Sequence, residues 1–285
     1  MKLLKNLICI MLSFILVLVI LMYMLYSNFE SKFLNKDYIL SKMNGNQFYL
    51  QIGREVESGF EKYIYQSGLP EETIKNLFTE EIIKNDVISI VNCVYGGTEI
   101  NLSSQIIRNN LDNKIEQYLQ SEGKNANEQV RENINKFEDL IVNEYNNNIN
   151  ISEELYTEAH SLIEKFNVVV EKIGNMPIMI IGIFVVLIIL LNIKNLALAL
   201  NFLSISILAV GVLIKLGITT IYSNINIDNL LILTNSISNL VISIIKEIIY
   251  EFDKISTTCV VLGVLGIAIY AIFKSLKSEK SINKY

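Results

Sequence analysis

Charge is scarce in this chain. Asp, Glu, Lys and Arg make up 19% of its 285 residues, against roughly 25% in an average soluble domain. Histidine occurs once, proline twice and cysteine three times. One histidine, His160, cannot build the usual histidine-rich zinc site, and no cysteine lies near it in sequence. Cys9 and Cys259 fall in apolar runs, so Cys93 stands alone between residues 27 and 175. That excludes a disulfide inside this segment and, with it, a disulfide-stapled secreted module. No P-loop, GxGxxG, GxSxG or EF-hand loop occurs. The net charge of −5, without clustered Lys and Arg, excludes nucleic acid as a partner.

Apolar residues are what the chain has in excess: 51% hydrophobic, with a mean hydropathy of +0.39. They gather in uncharged runs near the N-terminus and in the last third, which excludes an ordinary cytosolic enzyme and a disordered tail protein. Residues 7–26 are 20 consecutive uncharged positions. As a helix they span about 30 Å, one bilayer core. They read as an uncleaved signal anchor. A cleaved signal peptide is the alternative, with Lys2 and Lys5 as its charged start. Against it, the run exceeds the usual length of about 7–15 residues and no small-x-small site follows Leu25. Cys9 precedes most of the run and follows Asn6-Leu7-Ile8, unlike a lipoprotein signal.

Three further spans are expected at 176–193, 196–222 and 255–273. Pro177 sits where a first helical turn tolerates it, and Lys194-Asn195 make the tight connection. Lys215 is the one charge within the third run. It reads either as a side chain snorkelling to the interface or as a functional intramembrane charge, and no acidic partner is evident at its depth. Residues 1–6 carry +2, Lys194 +1 and the tail 274–285 +3, whereas 27–175 carries 14 basic and 24 acidic residues and 223–254 a net −2. Lysine-rich short ends stay cytoplasmic. Both termini are therefore expected inside, and the segments 27–175 and 223–254 outside. The stretch 230–245 has no charge and offers a fifth span as the alternative. It holds six polar residues, Thr234 among them, however, and the apolar positions Leu230, Ile237, Val241, Ile244, Ile248, Phe252 and Ile255 recur at helical spacing. An extracellular amphipathic helix over 223–254 is the expectation, lying on the outer membrane face or on the outside domain.

Residues 27–175 are enough for one folded domain. Tyr49, Ile52, Val56, Phe60 and Tyr63 step along one helix face, which Ser67-Gly68 breaks. Pro70-Glu71-Glu72 is expected to start another helix. Ile82, Ile83, Val87, Ile90 and Val91 mark the next, stopped by Gly96-Gly97. Ile107, Leu111, Ile115 and Tyr118 mark a further one, ended by the polar stretch 121–127, before Val130, Ile134, Phe137, Ile141 and Tyr145. Asn150, three positions before Glu153, resembles an N-cap start. From there Leu155, Ala159, Leu162, Phe166, Val169 and Ile173 alternate by 4 and 3, a heptad seam. It serves either an intramolecular bundle or contact with a second copy. The fold class expected is an all-α integral membrane protein, four transmembrane helices with a helical extracytoplasmic bundle.

The chemistry is sparse. Glu71-Glu72, Glu80-Glu81 and Glu153-Glu154 fall at helix starts, where the dipole favours acids. His160 reads as a solvated or helix-flanking side chain beside the seam, and Cys93 as a small buried hydrophobe. Asn201 with Ser204, and Gly263 with Gly266, suit close packing of membrane helices. No catalytic, cofactor-binding or metal-binding residues are assigned, and no cofactor is expected.

The stretch Ser67-Gly68-Leu69-Pro70-Glu71-Glu72, then Ile83-Lys84-Asn85-Asp86-Val87 and Val94-Tyr95-Gly96-Gly97, resembles uncharacterised multi-span membrane proteins of low-GC Gram-positive bacteria with a helical extracellular domain. That resemblance implies the layout and no activity. The 48 isoleucines and 32 asparagines fit an AT-rich bacterial genome. The leading expectation is a cell-membrane protein whose helical domain is a surface interaction or assembly module, not an enzyme. Its partners are the lipid bilayer and a protein partner or second copy engaged through the 155–173 seam. The 12-residue tail leaves no room for an inward output domain. An accessory or pore-forming subunit of a membrane transporter is the alternative.

Overall fold

A computed structural model of the chain describes residues 2–45, 47–149, 153–229 and 235–282. Ten α-helices lie among them: α1 Lys2–Asn28, α2 Lys36–Gly45, α3 Phe48–Ser67, α4 Glu80–Gly96, α5 Ser104–Ser121, α6 Glu128–Ile149, α7 Glu153–Ile173, α8 Met176–Leu191, α9 Leu196–Asn224 and α10 Asn235–Ile282. A π turn at Phe29–Phe33 and 3-10 turns at Glu71–Thr73 and Ile227–Asn229 complete the described elements, with no strand among them. The chain forms two compact units. One comprises Met1–Ser31, Val169–Leu233 and Val241–Tyr285; the other comprises Lys32–Val168 and Thr234–Leu240.

The first unit is the membrane protein the composition calls for. Helices α1, α9 and α10, and the longer apolar stretch that ends in α8, are long and apolar enough to cross a bilayer, with best-window mean hydropathies of 3.0, 2.4, 2.2 and 2.7 respectively. Helix α1 packs on α8 and α9, and these two form a hairpin whose turn is closed by Asn195 N–H donating to the Asn192 carbonyl at 2.7 Å. Cys9, Leu16, Ile188, Ala199 and Phe202 fill one layer of the interior; Val17, Val210, Ile214, Ile218, Ile227 and Ile249 fill another. Outward-pointing Met22, Met179, Leu216, Leu265 and Ile272 are more than half exposed. Helices apolar on all sides suit a lipid surround.

Small residues let α9 and α10 meet backbone to backbone. A Cβ on Gly263 would fall 2.6 Å from the Leu208 Cβ and 2.8 Å from its backbone, and one on Gly211 would fall 2.8 Å from the Ser256 carbonyl. Gly266 faces Ser204 in the same way. The expected close approach at Gly263 and Gly266 is therefore met. The Ser256 hydroxyl donates to the Gly211 carbonyl at 2.8 Å, satisfying a polar group inside the packed seam.

Three sequence expectations need correcting. Lys215 does have an acidic partner: its ammonium pairs with Asp253, 38 residues away on α10. The amphipathic segment is no separate helix. From Asn235 no proline or glycine occurs before Gly263, so nothing stops α10, and the change from mixed to apolar composition near Ile255 does not break it. Its apolar positions Ile242, Ile245, Ile249 and Phe252 pack with residues of α1 and α9. Leu230 and Thr234, counted within that segment, lie outside the described residues, as does Asn150. Lastly, Pro70-Glu71-Glu72 begins only the short 3-10 turn. Asn76 then takes a left-handed φ of 60°, and the long helix starts at Glu80, where the Thr79 hydroxyl accepts from Ile82 N–H at 3.3 Å.

The second unit has its own core. Phe60, Leu77, Ile83, Ile107, Leu111, Ile115, Ile141 and Tyr145 are at most 1% exposed. Phe60, Phe78 and Tyr145 stack in sequence, with ring centroids 5.0 and 5.2 Å apart. The helical periods read from sequence land on this core at Val56, Phe60, Leu111, Ile134 and Ile141, while Val130 is 37% exposed. Glu138 takes a buried place on α6 that the pattern did not mark. Burial, then the nearby Asp112 carboxylate, pushes its carboxyl up to about 7, against the pull of Arg108. The first turn of α10 is tied to α3, with Ser236 N–H donating to Glu55 at 3.0 Å.

Candidate functional site

The C-terminus of α4 is where α7 is held. Gly97, at a left-handed φ of 64°, closes α4 by donating its N–H to the Cys93 carbonyl at 2.8 Å. The next carbonyl, Val94, lies 3.0 Å from His160 Nδ1. A carbonyl only accepts, so Nδ1 carries the proton in this contact. A Cβ on Gly97 would stand 3.0 Å from His160 Nε2, so glycine is needed here both for the backbone angle and for the ring. His160 is half-buried. The half-buried ring thus flanks the end of α4 and caps it, where the dipole favours a donor.

A cavity of about 550 Å³ opens beside this contact, lined among others by Cys93, Thr98, Glu99, Tyr156 and His160. It brings the only histidine and the only cysteine of 27–175 to one place, which 67 residues of separation hid from the sequence. Cys93 is 5% exposed, as its apolar surroundings suggested. Among the described residues, no three His, Cys, Asp or Glu side chains form a group able to hold a metal ion.

Asp86, 1% exposed, ties the N-terminal half of α4 into the core. Its carboxylate accepts from Ser103 N–H at 2.9 Å, from the Ser103 hydroxyl at 2.5 Å and from the Tyr145 hydroxyl at 2.6 Å. Burial first, and then this carboxylate, pushes the Tyr145 hydroxyl far above the usual phenol range. Three donors satisfy a charge that could not otherwise stay buried.

With one edge held in this way, α7 divides its apolar stripe. Tyr156, Ile163 and Val170, seven residues apart, are half-buried, and the Val170 carbonyl accepts from the Tyr26 hydroxyl at 3.1 Å. The heptad seam lies on the other edge. Leu155 is 52% exposed, Leu162 53%, Phe166 44% and Val169 48%. Ala159 and Ile173, the other two seam positions, are half-buried. Sequence periodicity found the stripe, but only the placement of His160 and Tyr26 reveals which edge is turned away.

No protein-family model, curated protein or solved structure matches the chain. The functional reading therefore rests on this geometry.

Proposed function

We propose that the chain is a multi-pass protein of a bacterial cell membrane whose helical domain, residues 27–175, lies outside and serves as an interaction or assembly module. The observation that carries this reading is the exposed apolar edge of α7, where Leu162, Phe166 and Val169 are 44–53% exposed on a regular heptad period. Large apolar side chains gathered on one exposed stripe mark an interaction surface far more often than bare solvent contact. The lysine-rich ends and the acidic domain support the orientation. A transporter subunit is the second reading. It draws on Lys215, but pairing with Asp253 gives that charge a structural role.

The test is particle mass. The tagged full-length protein, extracted from native membranes in mild detergent, is expected in a particle larger than one chain. Leu162→Glu with Val169→Glu, which places charges on the exposed edge and leaves the buried core alone, should return it to the mass of a single chain. An unchanged mass in the double variant would remove the seam as the interaction surface.

A further inference from the structure

We infer that Glu138 and Asp112 form a proton-binding site, and that the proton held there fastens α5 to α6 within the helical domain. Both helices belong to one compact unit and pack on each other. Their charged pairs run in antiparallel order, Arg108 with Asp139 and Arg131 with Glu116, the latter at 2.9 Å. Between these pairs lie Asp112, 3.4 Å from Arg131, and Glu138, 3.5 Å from Arg108. Glu138 is 4% exposed, and its Oε1 has no hydrogen-bond partner among the described residues. Arg108 pairs more closely with Asp139 than with Glu138, so it leaves the buried carboxyl poorly compensated.

A buried carboxylate with an unpaired oxygen costs free energy that a proton removes. The Asp112 carboxyl stands within hydrogen-bonding reach of Glu138. Two ionised carboxylates only accept and repel each other; one proton makes Glu138 a donor and Asp112 its acceptor. The charge balance points the same way. Two guanidinium groups, Arg108 and Arg131, already face the carboxylates of Asp112, Glu116 and Asp139, and an ionised Glu138 adds a further negative charge. Helix α3 also packs on α6, where its Lys62 acts on Glu144 rather than on Glu138. Burial first, and then Asp112, raises the Glu138 carboxyl from an ordinary 4.5 to about 7, against the pull of Arg108. The folded chain therefore holds this proton more tightly than the unfolded chain does. Its contribution is complete below about pH 4.5, falls as the pH rises and is lost above about pH 7. For a domain outside the cell, as proposed above, the medium supplies the proton.

Hydrogen exchange of the full-length chain in mild detergent tests this, followed on the α5 amides from Ile107 to Ile115. Dividing the wild-type rate by that of Glu138→Gln at the same pH cancels the intrinsic pH dependence of exchange. Glutamine keeps the size of the side chain, so the core is preserved. The ratio is expected to rise at least tenfold between about pH 5 and about pH 8, because linkage allows up to about tenfold in the opening equilibrium per pH unit. Asp112→Asn, divided by its own double variant with Glu138→Gln, tests the sharing. Without the facing charge the rise should be smaller and complete at lower pH. A ratio independent of pH, whatever its size, would mark Glu138 as a packing residue and overturn the proton site. A profile left in place by Asp112→Asn would overturn the sharing with Asp112.

Discussion

Replacing Gly263 by leucine should separate α9 from α10 and lower the stability of the membrane unit more than any other single change there. Even an alanine Cβ would lie 2.6–2.8 Å from Leu208 Cβ, Cα and N. Most of those atoms are backbone, so no rotamer change relieves the clash. Gly263→Ala is expected to cost about 1–3 kcal/mol, the usual range for overpacking. The leucine should exceed it, because separating the helices also loosens the Ser256 to Gly211 hydrogen bond and the Lys215–Asp253 pair. Gly217, also on α9, has nothing within 4 Å of its Cβ position and is the control. Thermal unfolding in detergent should show the midpoint falling by several degrees for Gly263→Ala, further for leucine, and little for Gly217→Leu. Equal midpoints at 263 and 217 would contradict the close seam.

The second large effect is expected at Asp86. Asp86→Ala leaves the Ser103 N–H and hydroxyl and the Tyr145 hydroxyl without their acceptor, inside a core that admits little water. Each buried donor so stranded costs about 1–3 kcal/mol, so a loss of roughly 3–5 kcal/mol follows. That is a large share of the 5–15 kcal/mol typical of a folded domain. Tyr145→Phe removes one donor and leaves the carboxylate two, so its cost should be about 1–3 kcal/mol. Limited proteolysis of the full chain separates this from damage to the membrane helices. Cleavage should appear within Lys32–Val168 in Asp86→Ala while the fragment from α8 to α10 stays intact. Wild-type protease resistance in that variant would mean the network contributes little.

These two sites also show what a sequence can and cannot reveal. Gly263 and Gly266 were readable as close-packing positions because small residues in an apolar run have few other uses. The steps Val56–Phe60 and Leu111–Ile115 were readable because a 3.6-residue period records which face is buried. Asp86 was not readable, since an acid within an apolar helix face carries no mark of the donors that Ser103 and Tyr145 bring to it. The Lys215–Asp253 pair failed for the same reason: depth can be counted along a chain, but partners 38 residues apart cannot. At Pro70 the helix-start signal was real yet local, and Asn76 in a left-handed conformation cancelled it within two turns. The continuity of α10 was missed because a change of polarity was read as a break, and only proline, glycine or a cap supplies one. Most instructive is α7. Its period identified the apolar stripe, but the contacts of His160 and Tyr26 decide which edge faces out, and neither contact has a sequence signature.

A surface role for the helical domain requires that it lie outside the cell, and labelling of intact cells tests this most directly. With Cys9, Cys93 and Cys259 replaced by alanine, a single cysteine is placed at the exposed Glu122 or at the terminal Tyr285. A membrane-impermeant maleimide is expected to label Glu122→Cys in intact cells and Tyr285→Cys only after lysis. Labelling of Tyr285→Cys in intact cells, or protection of Glu122→Cys, would contradict a four-span protein with its helical domain outside.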